Sequence, residues 1–341
     1  MRGPIRLLVL GTGHMGQGVM RLALERPGLD LAGVFARRPE RRGRDAGAVL
    51  GLGRDLGVAV ETSLKAAIDA ARPDIAIQAT CSTLADAWDE LTVLMHNGVS
   101  VVSIAEEMAY PACVSPNLAR ELDTLAREHG VAVLGTGVNP GFVLDTLVIA
   151  LTAVCKTVRS VTATRVNDLS PYGPTVLNSQ GVGLTPEAFA AGVANGTVVG
   201  HVGFPQSCHL IAHALGWTLE RIDETREPIV SSVHRETAHV TVKPGQVAGC
   251  RHTATAYATG RAVITLVHPQ QVLPHLEGVE TCDDIILDAD PPVHLSGRPE
   301  IPGGEATVAI AVNSIPNILN ARPGLYTMAD LPLPAAWGGQ P

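Results

Sequence analysis

Residues Ile5–Glu25, IRLLVLGTGHMGQGVMRLALE, decide the fold. An apolar strand, Ile5–Leu10, runs directly into Gly11-Thr12-Gly13-His14-Met15-Gly16, and that loop opens a helix extending to Glu25. The glycines have separate physical duties. Gly11 makes the tight turn, Gly13 lets the backbone approach a pyrophosphate, and Gly16 allows helix and strand to pack closely. A phosphate then rests on the helix N-terminus, where unpaired N–H groups and the macrodipole favour an anion. The spacing predicts a dinucleotide site at Gly11, Thr12, Gly13, His14, Met15 and Gly16. Alone, the fingerprint is a weak signal, and a plain glycine-rich turn is the alternative. Its position between the first strand and first helix of a parallel pattern favours the dinucleotide.

That pattern continues outward. Strand-length apolar runs recur at Leu29–Phe35, Ile75–Ala79, Val99–Ile104 and Val131–Leu134, each followed by helical periodicity. Ala85–His96 and Leu118–Glu128 place apolar residues three and four apart, as crossover helices do. A sheet built this way is covered on both faces and binds ligands outside the carboxyl ends of its strands. Beyond residue 155 the texture changes. Val158–Val166, Ile229–Val242, Arg251–Tyr257, Ala262–Val267 and Thr307–Val312 read as strands, with a hairpin around Thr259-Gly260-Arg261. Helices are predicted at Pro186–Asn195, capped by Thr185, and at Pro205–Leu215. The expected fold class is therefore α/β, a Rossmann doubly wound parallel sheet with a second α+β domain on a mixed sheet. Its boundaries are 1–140 for the nucleotide domain, 141–309 for the second domain, and 310–341 for a segment returning to the first.

Composition excludes several function classes. The chain has 341 residues and a formal net charge of −8, so it would repel a nucleic-acid backbone. Val143–Cys155, its longest nearly apolar stretch, is too short to span a bilayer and contains Asp145. No membrane partner is expected. The 6 cysteines are scattered in a way that suits neither a zinc site nor a redox pair. With no secretion signal in the first residues, a cytoplasmic location with free thiols follows. The chain lacks G-K-[ST], G-x-S-x-G and H-E-x-x-H. His209 and His213 lie one helical turn apart without a third ligand, so no metal site is expected.

Candidate chemistry gathers at the strand ends. Where an NAD-selective site usually has an acid on the ribose, this chain has Ala36 followed by Arg37 and Arg38. Guanidinium forks suit a 2′-phosphate, so NADP is preferred, with NAD possible. Arg41, Arg42 and Arg44 read instead as a solvated helix start. Thr80, Cys81, Ser82 and Asn139 are further cofactor candidates, Asn139 having a helix cap as its alternative. Glu106 and Glu107 follow the fourth long strand, where a carboxylate could move a proton or stabilise a cation beside the nicotinamide. A helix start is the bland reading of that pair. In the second domain His201 sits between glycines, and Arg165 and Asn167 share one strand face opposite Val166. A purely structural ion pair remains open for Arg165.

The stretches Ser103–Pro111, Gly135–Phe142, Thr164–Pro171, Gly200–Gln206, Glu300–Gly304 and Asn313–Asn320 carry a likeness that runs essentially end to end. The sequence resembles the 2,4-diaminopentanoate dehydrogenase family, which includes the native amine dehydrogenases and has a dihydrodipicolinate reductase-like N-terminal domain. The resemblance implies reversible NAD(P)-dependent oxidative deamination of an amine, or reductive amination of a carbonyl by ammonia, in a homodimer. It assigns the catalytic acid to Glu106; Glu107, Arg165, Asn167 and His201 are the residues expected in the substrate pocket. Ala36 departs from relatives that carry Asp there. The alternatives are a cyclic-imine or semialdehyde reductase, separated by its independence of ammonia, and an NADPH-sensing protein without turnover.

Overall fold

The computed structural model describes residues 3–338 and divides into two compact units. The first is the chain up to Phe142 joined by the chain from Pro302 onward, and the second is Val143–Ile301. The boundary expected at 309/310 falls inside the helix Gly303–Asn313, ahead of which the chain re-enters the first unit.

In the first unit the strands are β1 (Ile5–Leu10), β2 (Leu29–Phe35), β3 (Val60–Glu61), β4 (Ile75–Gln78), β5 (Ser100–Ser103) and β6 (Ala132–Gly135). The second unit contains β7 (Thr157–Asp168), β8 (Arg221–Val230), β9 (Arg235–Glu236), β10 (Thr241–Val242), β11 (Val247–Ala258), β12 (Arg261–Gln271), β13 (Cys282–Asp290) and β14 (Val293–Gly297). A last strand, β15 (Gly324–Tyr326), returns to the first.

The first sheet has the order β15-β6-β5-β4-β1-β2-β3, with every pair parallel. Strand β1 shows why it is doubly wound. Leu7 and Val9 enter one apolar cluster with Val19, Met20 and Ala23 of the helix His14–Glu25, while Leu8 and Leu10 enter another with Ala87, Leu91 and Leu94 of the helix Leu84–His96. A two-residue period thus feeds two cores, and each fully buried leucine contributes roughly 1.5–3 kcal/mol. Helix starts are fixed by Ser63, Thr83 and Ser115, whose hydroxyls accept backbone N–H groups at 3.1–3.3 Å. Thr307–Val312, expected as a strand, lies within the helix Gly303–Asn313, which packs on the helix His14–Glu25. Its β-branched run favours a strand locally, but Ala311 and Val312 are buried in the first cluster, and tertiary packing overrides the preference.

The second sheet has the order β14-β13-β7-β12-β11-β8, with β7 and β12 parallel and the other pairs antiparallel. Strands β11 and β12 form the expected hairpin, and its two-residue turn, Thr259-Gly260, has φ of 50° and 72°. The single strand expected at Ile229–Val242 is instead the end of β8 followed by the short antiparallel pair β9 and β10. Most of β8 carries no strand pattern in the sequence because RIDETREPIV is an edge strand with charged residues on both faces. The helix Phe204–Leu215 lies on β11 and β12, burying Phe204, Cys208, Leu210 and Ile211.

Candidate active site

Four strand ends meet along one edge of the parallel sheet. Register pairs Leu10 with both Phe35 and Gln78, and Gln78 with Ser103, so the segments after β2, β1, β4 and β5 stand side by side. The glycine loop follows β1 at the point where strand order reverses. Gly11 has a φ of 117°, and a Cβ on Gly16 would sit 2.0 Å from the Gly11 carbonyl oxygen, so neither position admits a side chain. Nothing lies within 4 Å of a Cβ built on Gly13, and this residue caps the helix His14–Glu25 without a side-chain hydrogen bond. A close-packed turn beneath open helix N–H groups fits a pyrophosphate. Thr12 lies in the floor, and His14 and Met15 form the first helical turn.

The groove above this loop is lined by Gly11, Thr12, Gly13, Gln17, Ala36, Arg37, Arg38, Arg41, Ala79 and Thr80. Here two readings change. Arg37 Nε donates to Glu90 at 2.7 Å and its Nη2 donates to the Asp86 carbonyl at 2.7 Å, so that guanidinium is already engaged by a neighbouring helix. Arg41, read from sequence as a solvated helix start, instead reaches the groove. A short 3₁₀ turn at Pro39–Arg41, in which the Arg41 amide donates to the Arg38 carbonyl at 3.0 Å, brings the two arginines together.

Beyond β5 the two acids separate by role. Both open a 3₁₀ turn, Glu106–Ala109. Glu107 accepts the Leu84 amide hydrogen at 2.7 Å, and its own amide donates to the Ser82 carbonyl at 3.1 Å. It therefore completes the start of the helix Leu84–His96 and is not a free pocket acid. Glu106 faces a different environment. Burial pushes its carboxyl above the ordinary carboxylate range, opposed by hydrogen bonding from its own backbone and from Ser82. Ser82 thus serves the acid and lies outside the residues lining the groove. Cys81, whose thiol burial pushes up, accepts from Gln78 at 3.0 Å and is likewise outside that lining. Replacing Glu107 with Ala is expected to cost about 1 kcal/mol by urea unfolding, the scale of a lost helix cap. Turnover should change by less than about threefold, well short of general-base loss.

Asn139 does not cap a helix. It precedes a cis bond to Pro140, and the next helix, Thr146–Thr152, is capped by Asp145.

In the second unit a buried polar cluster forms on the inner face of the sheet. Arg165, 2 % exposed, donates to Asp283 at 2.6 Å and also to the Ile301 carbonyl. Asn167 Oδ1 accepts from His268 Nε2 at 3.0 Å, and His252 bonds Glu224 at 2.9 Å through Nε2 while its Nδ1 accepts the His201 amide hydrogen at 3.0 Å. The His201 ring packs edge-on against Phe204 and His268, and its buried Nε2 has no hydrogen-bond partner among the described residues. Burial and the nearby positive groups push His201 down to about 3 and His268 well below the usual imidazole range. Both rings are neutral at physiological pH, and Arg165 places a permanent positive charge beside them. Alternation along β7 had grouped Arg165 with Asn167, but His268, His252 and Glu224 come from distant strands and left no local pattern.

Comparison with known proteins gives the family. The 2,4-diaminopentanoate dehydrogenase C-terminal domain profile matches residues 142–340, and the dihydrodipicolinate reductase N-terminus profile matches residues 5–104. A 2,4-diaminopentanoate dehydrogenase from Acetoanaerobium sticklandii is 40% identical over 97% of this chain and 94% of its own. The chain belongs to the 2,4-diaminopentanoate dehydrogenase family. It is an oxidoreductase of the class acting on CH–NH2 donors with a nicotinamide dinucleotide. An amine dehydrogenase from Streptomyces virginiae is 26% identical over 98% of each chain. The solved amine dehydrogenase from Mycobacterium smegmatis is 28% identical and covers 97% of each chain with a TM-score of 0.84. Among the described residues there is no group of three or more metal-ligating side chains, and His209 and His213 belong to none. No helix of the described residues is long and apolar enough to cross a membrane.

Proposed function

We propose that this enzyme is an amine dehydrogenase preferring NADP(H), which oxidatively deaminates an amine or a 2,4-diaminopentanoate-like substrate and, in reverse, aminates a carbonyl with ammonia. The observation that carries the reading is the half-buried Glu106 carboxyl, with its raised pKa, one strand beyond the segment that follows β4 and on the same sheet edge as the glycine loop. The dinucleotide supplies a hydride acceptor or donor when bound. Everything else falls to side chains. In the aminating direction Glu106 takes a proton from ammonium so that ammonia can add to the carbonyl, returns that proton to the carbinolamine hydroxyl, which leaves as water, and as the regenerated carboxylate stabilises the positive iminium carbon. Ser82 orients that carboxyl group. Taken by itself, the second unit offers Arg165, Asn167 and the free Nε2 of His201 as a group of side chains suited to a carboxylate. His268 supports Asn167 in that task.

Preference for the phosphorylated dinucleotide rests on the groove beside Ala36. It holds no carboxylate to repel a 2′-phosphate, and Arg38 and Arg41 line it. Both have guanidinium groups for which no carboxylate partner within ion-pair distance occurs among the described residues.

One assay tests the activity. NADPH consumption is followed with and without ammonia against 2-amino-4-oxopentanoate, simple ketones and aldehydes, and repeated with NADH. Ammonia-dependent turnover that is faster with NADPH is the expected result. Turnover of a cyclic imine without ammonia would instead make the enzyme a reductase, and a higher kcat/KM with NADH would overturn the cofactor preference alone.

A further inference from the structure

Glu90 occupies a position where a carboxylate is unexpected. It lies within the helix Leu84–His96 beside the buried Leu91 and Leu94, and is 6 % exposed. A charge there persists only if its partners replace the lost water. Glu90 has three. Arg37 Nε donates to Oε1 at 2.7 Å, Gln78 Nε2 donates to Oε2 at 3.3 Å, and the Thr80 hydroxyl donates to Oε2. Gln78, fully buried, is itself fixed by the Ser103 hydroxyl at 2.6 Å. The carboxylate is therefore clamped between the ends of β2 and β4 and cannot follow Arg37 if that side chain moves.

The consequence concerns Arg37. Arg37 lines the dinucleotide groove beside Ala36, where a guanidinium would meet the 2′-position of a bound ribose. The side chain instead turns to the helix, spending Nε on Glu90 and Nη2 on the Asp86 carbonyl. The carboxylate also opposes whatever positive potential Arg37 would add to the groove, and the same pairing raises the arginine's own pKa. We propose that Glu90 is a specificity-determining residue: it withholds Arg37 from the ribose 2′-position and so limits discrimination between a 2′-phosphate and a 2′-hydroxyl to Arg38 and Arg41. The inference rests on the dinucleotide reading of the glycine loop, and is independent of the amine chemistry and of which cofactor the unaltered enzyme prefers.

Binding of 2′,5′-ADP and 5′-AMP, measured by isothermal calorimetry at fixed low ionic strength, tests it without turnover. In Glu90→Gln the affinity ratio in favour of 2′,5′-ADP should rise at least ~5-fold over the unaltered enzyme, as one opposing charge near the phosphate disappears. In Glu90→Gln combined with Arg37→Gln the rise should vanish, because the arginine thus released is gone. Neither variant leaves a buried charge unpaired, and thermal melting checks that both fold. Should Glu90→Gln not fold, Glu90→Met, close in volume and uncharged, takes its place with the same expectation. An unchanged ratio in the folded single variant, or a rise that survives in the double variant, would overturn the proposal. If the unaltered enzyme bound neither nucleotide, the dinucleotide reading itself would fail, which is a separate outcome.

Discussion

Glu106→Gln is expected to lower kcat in both directions by about 10²–10⁴-fold, the range associated with removing a general acid–base group. Cofactor affinity should stay within about threefold, because Glu106 is not among the residues lining the dinucleotide groove. The amide keeps the shape and one hydrogen bond to Ser82 but can neither take a proton nor stabilise a cation. Pre-steady-state hydride transfer and NADPH fluorescence titration separate the two effects. Loss of activity on replacing Glu107 with Glu106 intact would reverse the assignment of the acid.

The same substitution has a second signature. Burial raises the Glu106 pKa above its unfolded value, so this group contributes stability that is fully present below the unfolded pKa and lost as pH rises through the folded pKa. At neutral pH the half-buried carboxylate therefore weighs against the fold. Glu106→Gln should melt higher than the unaltered enzyme at pH 7–8 and lose that advantage near pH 4, where both side chains are neutral. For the same reason the acidic limb of kcat/KM should lie above the ordinary glutamate range, and it should disappear in the variant. An inactive variant with no gain in melting temperature at neutral pH would show that the carboxylate is better solvated than its burial implies.

How far the sequence discloses the site depends on how local each interaction is. The glycine loop and the strand order around it are legible because they rest on short-range spacing: a period of two in β1, a period near 3.6 in the helices Leu84–His96 and Pro116–Glu128, and glycines whose Cβ atoms would collide with backbone. Thr307–Val312 misleads because its β-branched residues satisfy both a strand and a buried helix, and only the partner helix decides. Arg37 misleads for a different reason. Its partner Glu90 stands 53 residues away, and nothing near Arg37 announces that its charge is already matched. Glu107 looks like Glu106 until the Leu84 amide, 23 residues earlier, is seen to claim it. Motifs thus locate the edge of the sheet, whereas the division of labour among the charged residues there is set by long-range pairing.

Arg165→Met should have the largest effect on stability, about 3–5 kcal/mol, because it leaves the buried Asp283 without its cation. Asp283 also accepts the Ile301 amide hydrogen at 2.8 Å, so it cannot swing out to water without breaking a second bond. Burial already pushes the Asp283 carboxyl up, against the pull of Arg165. With the arginine gone it should take a proton, and since a raised carboxyl pKa favours the fold at low pH, the loss of stability should grow as pH rises. Combining Arg165→Met with Asp283→Asn removes the unpaired charge and should recover most of the loss, as paired replacement of buried ions generally does. Substrate choice should not recover with it. If Arg165 receives a carboxylate, the stable double variant will still be about 10–100-fold poorer in kcat/KM toward 2-amino-4-oxopentanoate, the value of a hydrogen bond to a charged group, while simple ketones react within a few-fold of the unaltered enzyme. Equal effects on both substrate types would confine Arg165 to holding β7 against β13, and the distal recognition of a diamino acid would then pass to Asn167 and His201.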